Sequence, residues 1–115
     1  MSAVALLKAY RSRALSPVEA MQDVLARIAV FEPHIHATYL LEPERALKDA
    51  RASEERWRRG EPAGPLDGVP ATIKDNIATK GEPVPLGTAA SELKPAPADE
   101  PPGLRVRSHG LRVSV

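Results

Sequence analysis

The apolar positions in the first third of the chain recur at intervals of three and four residues, which is the period of an α-helix. Leu6, Leu7 and Tyr10 share one face of residues 3–13, and this pattern predicts a first helix. A second helix is predicted to begin at Ser16, where the run Ser-Pro-Val-Glu combines a capping box with a proline at the first helical position. The apolar face of this second helix comprises Val18, Met21, Leu25 and Ile28.

The second helix is predicted to end at Pro33, and two further elements follow. Residues 36–41 contain a threonine, a tyrosine and two leucines in succession, which predicts a short strand. A third helix is predicted over Pro43–Arg59, with Gly60 as its C-terminal cap. Most of its surface is charged, and a narrow packing seam is formed by Ala46, Ala50 and Trp57.

A turn-rich stretch separates the third helix from a short apolar strand, predicted over Val69–Ile73 and followed at once by Lys74. Prolines crowd the sequence beyond Gly81, so most of that region is predicted to be loop. Residues 103–115 alternate leucine and valine with arginine. That pattern fits either a basic strand or a segment without defined structure.

These elements predict an α/β protein in which N-terminal helices precede the first strands of a sheet. A chain of 115 residues is expected to form one domain. Apolar residues make up 43% of it, but many are alanines and only 3% of all residues are aromatic. Because large aliphatic and aromatic side chains contribute most of the free energy of burial, the predicted core is small and the fold looks incomplete.

Charge and composition exclude several classes of function. The 16 basic and 15 acidic residues leave a net charge of +1, which gives no strong attraction to nucleic acid or to an anionic membrane. The chain has no cysteine, so disulfides and thiolate metal sites are excluded. No apolar run approaches the ~20 residues of a transmembrane helix, and the N-terminus lacks the order of a signal peptide. A cytoplasmic location is predicted.

Lys74 is the residue in this pattern best suited to chemistry. A lysine between Ile73 and Ile77 at the end of an apolar strand is expected to lose water, and desolvation turns a lysine into a usable base. Asp75 and Asn76 follow at a predicted turn, where short polar side chains bond to the backbone. Other lysines, such as those at positions 80 and 94, are interpreted as solvated surface charges.

Residues 64–81, GPLDGVPATIKDNIATKG, closely resemble the segment that carries the catalytic lysine of the amidase signature family of serine hydrolases. The resemblance extends to the run Leu-Ser-Pro-Val-Glu at 15–19 and to the arginine- and alanine-rich stretch Pro43–Arg59. It implies an α/β fold built on a mixed sheet. It also implies hydrolysis of a carboxamide to a carboxylate plus ammonia or an amine, with no metal or organic cofactor.

In that family a nucleophilic serine, a serine in a cis peptide and a lysine form the catalytic triad, and a glycine-serine-rich loop holds the oxyanion. Only the lysine has a counterpart here, and the resemblance implies that Lys74 is the catalytic residue. Ser91, Ser108 and Ser114 lie in no family motif. The chain is therefore expected to be an N-terminal, truncated segment that is inactive alone, because the serine half is missing.

The family pattern predicts a boundary after Pro102. Residues 1–102 are interpreted as the N-terminal part of an amidase domain, and residues 103–115 as a divergent tail. An arginine-, valine- and leucine-rich tail is what a shifted reading frame in GC-rich DNA tends to encode, and this is one hypothesis for its origin. A genuine divergent terminus is the other.

Two further motifs compete for a role. His34 and His36 would share one face of a strand, but two ligands are too few for a zinc site, and partly exposed polar residues are the preferred interpretation. The run Arg-Trp-Arg-Arg at 56–59 resembles an RNA-contacting patch, although packing of Trp57 at a helix end explains it better.

Three functions therefore stay open at the level of sequence. The first is an amidase-type hydrolase segment acting on a small amide, with the ammonia-releasing A subunit of glutamyl-tRNA amidotransferase among its close relatives. The second is a non-catalytic interaction module that associates with another chain through an exposed sheet edge. The third, which the charge balance disfavours, is a small nucleic-acid-binding protein.

Overall fold

The computed structural model describes residues 1–74, 76–84, 94–99 and 110–114 of the chain. Three helices come first: α1 (Ala3–Ser12), α2 (Pro17–Ile35) and α3 (Pro43–Arg59). Two strands follow, β1 (Val69–Ile73) and β2 (Gly110–Ser114). This is the predicted α/β arrangement of N-terminal helices followed by a small piece of sheet.

Local capping fixes where α1 and α2 begin and end. The Ser2 side chain accepts a hydrogen bond from the Ala5 amide at the start of α1, and Arg13 ends that helix in the left-handed conformation with φ +59°. The predicted capping box of α2 is confirmed. The Glu19 amide donates to Ser16 Oγ at 3.2 Å, and the Ser16 amide donates to Glu19 Oε2 at 2.8 Å.

Two predictions around the end of α2 are wrong. Pro33 lies inside the helix, which continues to Ile35 and ends at His36 with φ +47°. A proline this close to a C-terminus removes one hydrogen bond only, and the final turn tolerates that loss. Residues 36–41 form an irregular connection rather than a strand, with a single bridge residue at Leu40. His36 starts the connection in the left-handed conformation, and within the described residues no partner strand extends the single bridge into a ladder.

The core lies between α2 and α3. Met21 of α2 is fully buried against Ala46 and Ala50 of α3, and these small side chains let the two helices approach closely. The predicted bounds of α3 and its seam are confirmed, and Ser53 extends the seam by one more buried position. Partly buried side chains surround this cluster: Val18, Leu25, Ile28, Leu41 and Leu47.

β1 and β2 pair in parallel, with Val69 opposite Gly110 and Ile73 opposite Ser114. The predicted bounds of β1 are confirmed, but the strand is less buried than its apolar sequence suggests, since only Ile73 is buried. In the described part of the chain no other strand covers it. Of the two structures left open for the tail, residues 110–114 adopt the strand. The proposed boundary after Pro102 stays a prediction.

The described residues that follow β1, 76–84 and 94–99, form no helix or strand, in agreement with the loop predicted beyond Gly81, and they are attached to α3 and to the connection before it. Arg45 of α3 forms an ion pair with the buried carboxylate of Glu82 at 3.1 Å. The Tyr39 hydroxyl donates to the carbonyl oxygen of Pro83 at 3.0 Å. Residues 94–99 run alongside, where the Ala96 amide donates to the Glu82 carbonyl oxygen at 2.8 Å.

We expect truncation of the core methionine to cost much of the stability. Met21→Ala leaves a cavity against the two alanines of α3, so the free energy of unfolding in urea should fall by about 2–4 kcal/mol. Val30 lies on the same helix and is 62% exposed, so Val30→Ala is the matched control and should change stability by about 0.5 kcal/mol or less. Equal losses in the two variants would contradict a core centred on Met21.

Candidate functional site

Lys74 directly follows β1, at the carboxyl end of the two parallel strands. Its carbonyl oxygen accepts a hydrogen bond from the Ile77 amide at 3.0 Å, so a tight turn follows the lysine immediately. Its side chain is exposed. The expected loss of water is therefore not present at Lys74, although the neighbouring Ile73 is buried. Asp75 lies outside the described residues.

The other end of β1 is held by a buried carboxylate. Asp67, two residues before the strand, is only 2% exposed. Arg56 of α3 binds it in a bidentate manner, with Nε 2.8 Å from Oδ2 and Nη2 2.6 Å from Oδ1. The Ala63 amide adds a third hydrogen bond to Oδ2 at 2.9 Å. The planar guanidinium fits a carboxylate in this two-point geometry, and the loop before β1 is thereby tied to α3.

The charges of this pair stabilise each other. Burial raises the pKa of the Asp67 carboxyl, but the hydrogen bonds from Arg56 and Ala63 lower it by more, so that its pKa lies below the ordinary value. The hydrogen bond to Asp67 raises the pKa of the Arg56 guanidinium further. Both groups are thus ionised at neutral pH.

Two aromatic side chains hold the adjacent backbone. Trp57 Nε1 donates to the carbonyl oxygen of Asp67 at 3.1 Å, and the Tyr10 hydroxyl donates to that of Gly68 at 3.0 Å. The two rings contact each other, with centroids 6.0 Å apart and planes tilted by 57°. Consecutive carbonyl groups are thus bound by side chains from α3 and α1. The predicted packing of Trp57 at a helix end is confirmed.

Gly68 is required by this arrangement for two reasons. Its φ of +83° lies in the region that side chains disfavour. A Cβ atom at this position would lie 2.7 Å from Ser53 Oγ and 2.9 Å from Pro17 Cγ. The backbone therefore passes directly over the start of α2 and the middle of α3, and only glycine permits so close an approach.

The remaining candidates do not join this site. His34 lies in the last turn of α2 and His36 caps it, so the two histidines do not share a strand face. Among the described residues, no three side chains of the metal-binding types are grouped together. No helix in that same part of the chain is long and apolar enough to cross a membrane. Ser91 and Ser108 lie outside the described residues.

Sequence reasoning missed the group that fixes β1: Tyr10, Arg56, Asp67 and the packing role of Gly68. Local pattern marks Asp67 only as a turn residue, and Arg56 as part of a possible RNA patch. Tyr10 meets Gly68 across 58 positions of sequence, a separation that no periodicity reports. The one available sign in the sequence was the spacing of three residues: Arg56 and Trp57 precede the acidic turn residue Asp67 by eleven and ten positions.

Comparison with known proteins places these features in one family. The amidase family model matches residues 19–111. The A subunit of glutamyl-tRNA(Gln) amidotransferase from Chloroflexus aggregans is 50% identical over 74 residues, which are 64% of this chain and 15% of that protein. The corresponding protein from Thermobifida fusca is 39% identical over 111 residues, 96% of this chain and 22% of that protein.

Solved structures share the fold. A bacterial aryl acylamidase of the amidase signature family superposes with a TM-score of 0.86 at 27% identity, over 99% of this chain and 24% of that one. The peptide amidase from Stenotrophomonas maltophilia gives a TM-score of 0.83 at 28% identity, over 95% of this chain and 23% of that one. The chain thus spans about a quarter or less of the length of these relatives.

Gly68→Ala should be strongly destabilising. The methyl group meets Ser53 and Pro17 and the backbone is strained, so we expect the free energy of unfolding to fall by roughly 3 kcal/mol. Gly60 has a similar φ of +75°, but a Cβ atom there would have no neighbour within 4 Å, so Gly60→Ala should cost only about 1 kcal/mol. Urea unfolding of both variants separates the effect of the close contact from that of backbone strain. Equal losses of unfolding free energy in the two variants would argue against a close contact at Gly68.

Tyr10 should make the fold sensitive to alkaline pH. Burial raises the pKa of its hydroxyl to about 12 from the ordinary value of 10.0. The unfolded chain then loses this proton first, so stability should be full below pH 10 and fall as the pH rises toward about 12. The check is the free energy of unfolding as a function of pH. Tyr10→Phe should lack this fall in stability between pH 10 and about 12, whereas the control Tyr39→Phe should keep it. An unchanged fall in Tyr10→Phe would refute its assignment to Tyr10.

Proposed function

This chain belongs to the amidase family, and we propose that it supplies the lysine-bearing N-terminal part of an amidase that hydrolyses a carboxamide to a carboxylate and ammonia or an amine. The observation that carries the proposal is the position of Lys74. The lysine of the family motif follows a strand that Asp67 and Gly68 fix to the helices, and its side chain is exposed at the carboxyl end of that strand.

In the proposed reaction Lys74 acts as the base and proton relay. Sequence outside these 115 residues supplies the nucleophilic serine. The serine oxygen bonds to the carbonyl carbon of the amide, and the serine proton passes through Lys74 to the nitrogen that departs. Water then releases the carboxylate and restores the serine. We propose that the isolated chain does not hydrolyse amides, because a base without its nucleophile cannot form the acyl intermediate.

The relatives favour a second candidate within the same chemistry. Several are A subunits of glutamyl-tRNA(Gln) amidotransferase, with identities of 50% for the Chloroflexus aggregans protein and 39% for the Thermobifida fusca protein. On this proposal the chain derives from the protein that releases ammonia for transfer rather than from a free-standing amidase. Activity on glutamine rather than on other carboxamides would favour this candidate.

The sheet edge of β1 opposite β2 is our proposed point of attachment for the serine-bearing part. No other strand pairs with β1 within the described ranges, which leaves this edge as a place where a further strand could add. The cytoplasmic location predicted from sequence remains part of this proposal.

The role of Lys74 is tested by grafting residues 1–99 of this chain onto the remainder of the Stenotrophomonas maltophilia peptide amidase. We expect the chimera to release ammonia from an amide substrate, and Lys74→Met to reduce kcat by about a hundredfold or more, because the proton relay is lost.

Lys80→Met is the matched control, since it removes a nearby exposed lysine from the same segment, and it should leave the rate almost unchanged. The unmodified peptide amidase serves as the positive reference. A Lys74→Met chimera as active as the Lys80→Met chimera would refute the catalytic role of Lys74.

A further inference from the structure

Asp67 is a buried, ionised group that the proposed reaction does not use. Its carboxylate accepts three hydrogen bonds from Arg56 and Ala63, and its own carbonyl group and that of Gly68 are bound by Trp57 and Tyr10. Five hydrogen bonds therefore converge on two consecutive residues of a loop. A turn needs far fewer to close, so the number and direction of these bonds call for a reason.

We propose that Asp67, held by Arg56, is a positioning residue that sets the place of Lys74 along the axis of β1. This inference rests on the proposed function of the lysine. The strand rises ~3.3 Å per residue, so Lys74 lies about 17 Å beyond Val69 on a short, extended and nearly inextensible segment. A shift of the strand at its anchored end is therefore carried to the lysine.

The two ends of the strand are held in different ways. At the end nearest Lys74, Ile73 is buried, and burial of an apolar side chain resists separation but tolerates sliding. At the other end the bidentate guanidinium–carboxylate pair is directional, and its two hydrogen bonds resist displacement along the strand. The Arg56–Asp67 pair thus restrains the axial position of β1, which the apolar contact does not.

Amide hydrogen exchange on the 115-residue chain tests this directly. In Asp67→Asn we expect the β1 amides that are protected by pairing with β2 in the parent chain to exchange about tenfold faster or more, relative to the amides of α2 around Met21. Arg56→Lys keeps the charge but loses the two-point geometry, so it should give a smaller acceleration of the same amides. Uniform acceleration of strand and helix amides in Asp67→Asn would mean a general loss of stability and would overturn the proposal.

Glu82→Gln is the matched control, because Glu82 is also a buried carboxylate paired with an arginine of α3. It should leave the relative exchange of the β1 amides within about twofold of the parent chain. A strand acceleration in Glu82→Gln as large as that in Asp67→Asn would count against a specific role for Asp67.

A double-mutant cycle in the peptide amidase chimera links the strand to the reaction. Asp67→Asn should lower kcat about tenfold with little change in KM, and should have almost no further effect once Lys74 is replaced in Lys74→Met. Additive effects of the two changes would overturn action through Lys74. An inactive parent chimera would contradict the proposed function instead, and the exchange measurement would still decide whether Asp67 fixes the strand.

Discussion

The bidentate hydrogen bonds between Arg56 and Asp67 are the constraint on which the arrangement of this chain depends. They join the last turns of α3 to the loop that precedes β1, at 2.6 and 2.8 Å, and leave the carboxylate almost without solvent contact. Without them the loop would be held by the bonds from Trp57 and Tyr10 to its carbonyl groups and by the backbone bonds of its own turn, such as the Val69 amide to the Leu66 carbonyl oxygen at 3.0 Å. Helices and sheet would then be joined much more loosely.

A buried ion pair is a weak source of net stability, because desolvation of the two charges offsets much of their attraction. The Arg56–Asp67 pair contributes instead a fixed orientation of the loop relative to α3. The apolar core between α2 and α3 is small, with one methionine against two alanines, and apolar contact alone allows many nearby arrangements. The hydrogen bonds from Arg56, Tyr10 and Trp57 select one of these arrangements. The close contact between Gly68 and Ser53 is possible only in that arrangement.

The helices and the first strand were predictable because their determinants are local. The capping box at Ser16, the glycine at position 60 and the seam on α3 each act within a few residues, and the structure confirms all three. Pro33 and residues 36–41 were misjudged because a proline in the last turn costs one bond only, and because propensity without a partner strand does not make a ladder. β1 is less buried than its apolar sequence suggests for a related reason, since burial depends on neighbouring elements.

The sequence by itself determined the family, the order of elements and the identity of the candidate lysine, because motif, capping and periodicity are encoded in adjacent residues. It also indicated that the apolar core would be small. Only the tertiary structure decided how the lysine-bearing strand is held. That decision rests on contacts between residues far apart in sequence, Tyr10 with Gly68 and Arg56 with Asp67, and on the exposure of Lys74. Such contacts arise from the packing of whole elements, which no local pattern of residues specifies.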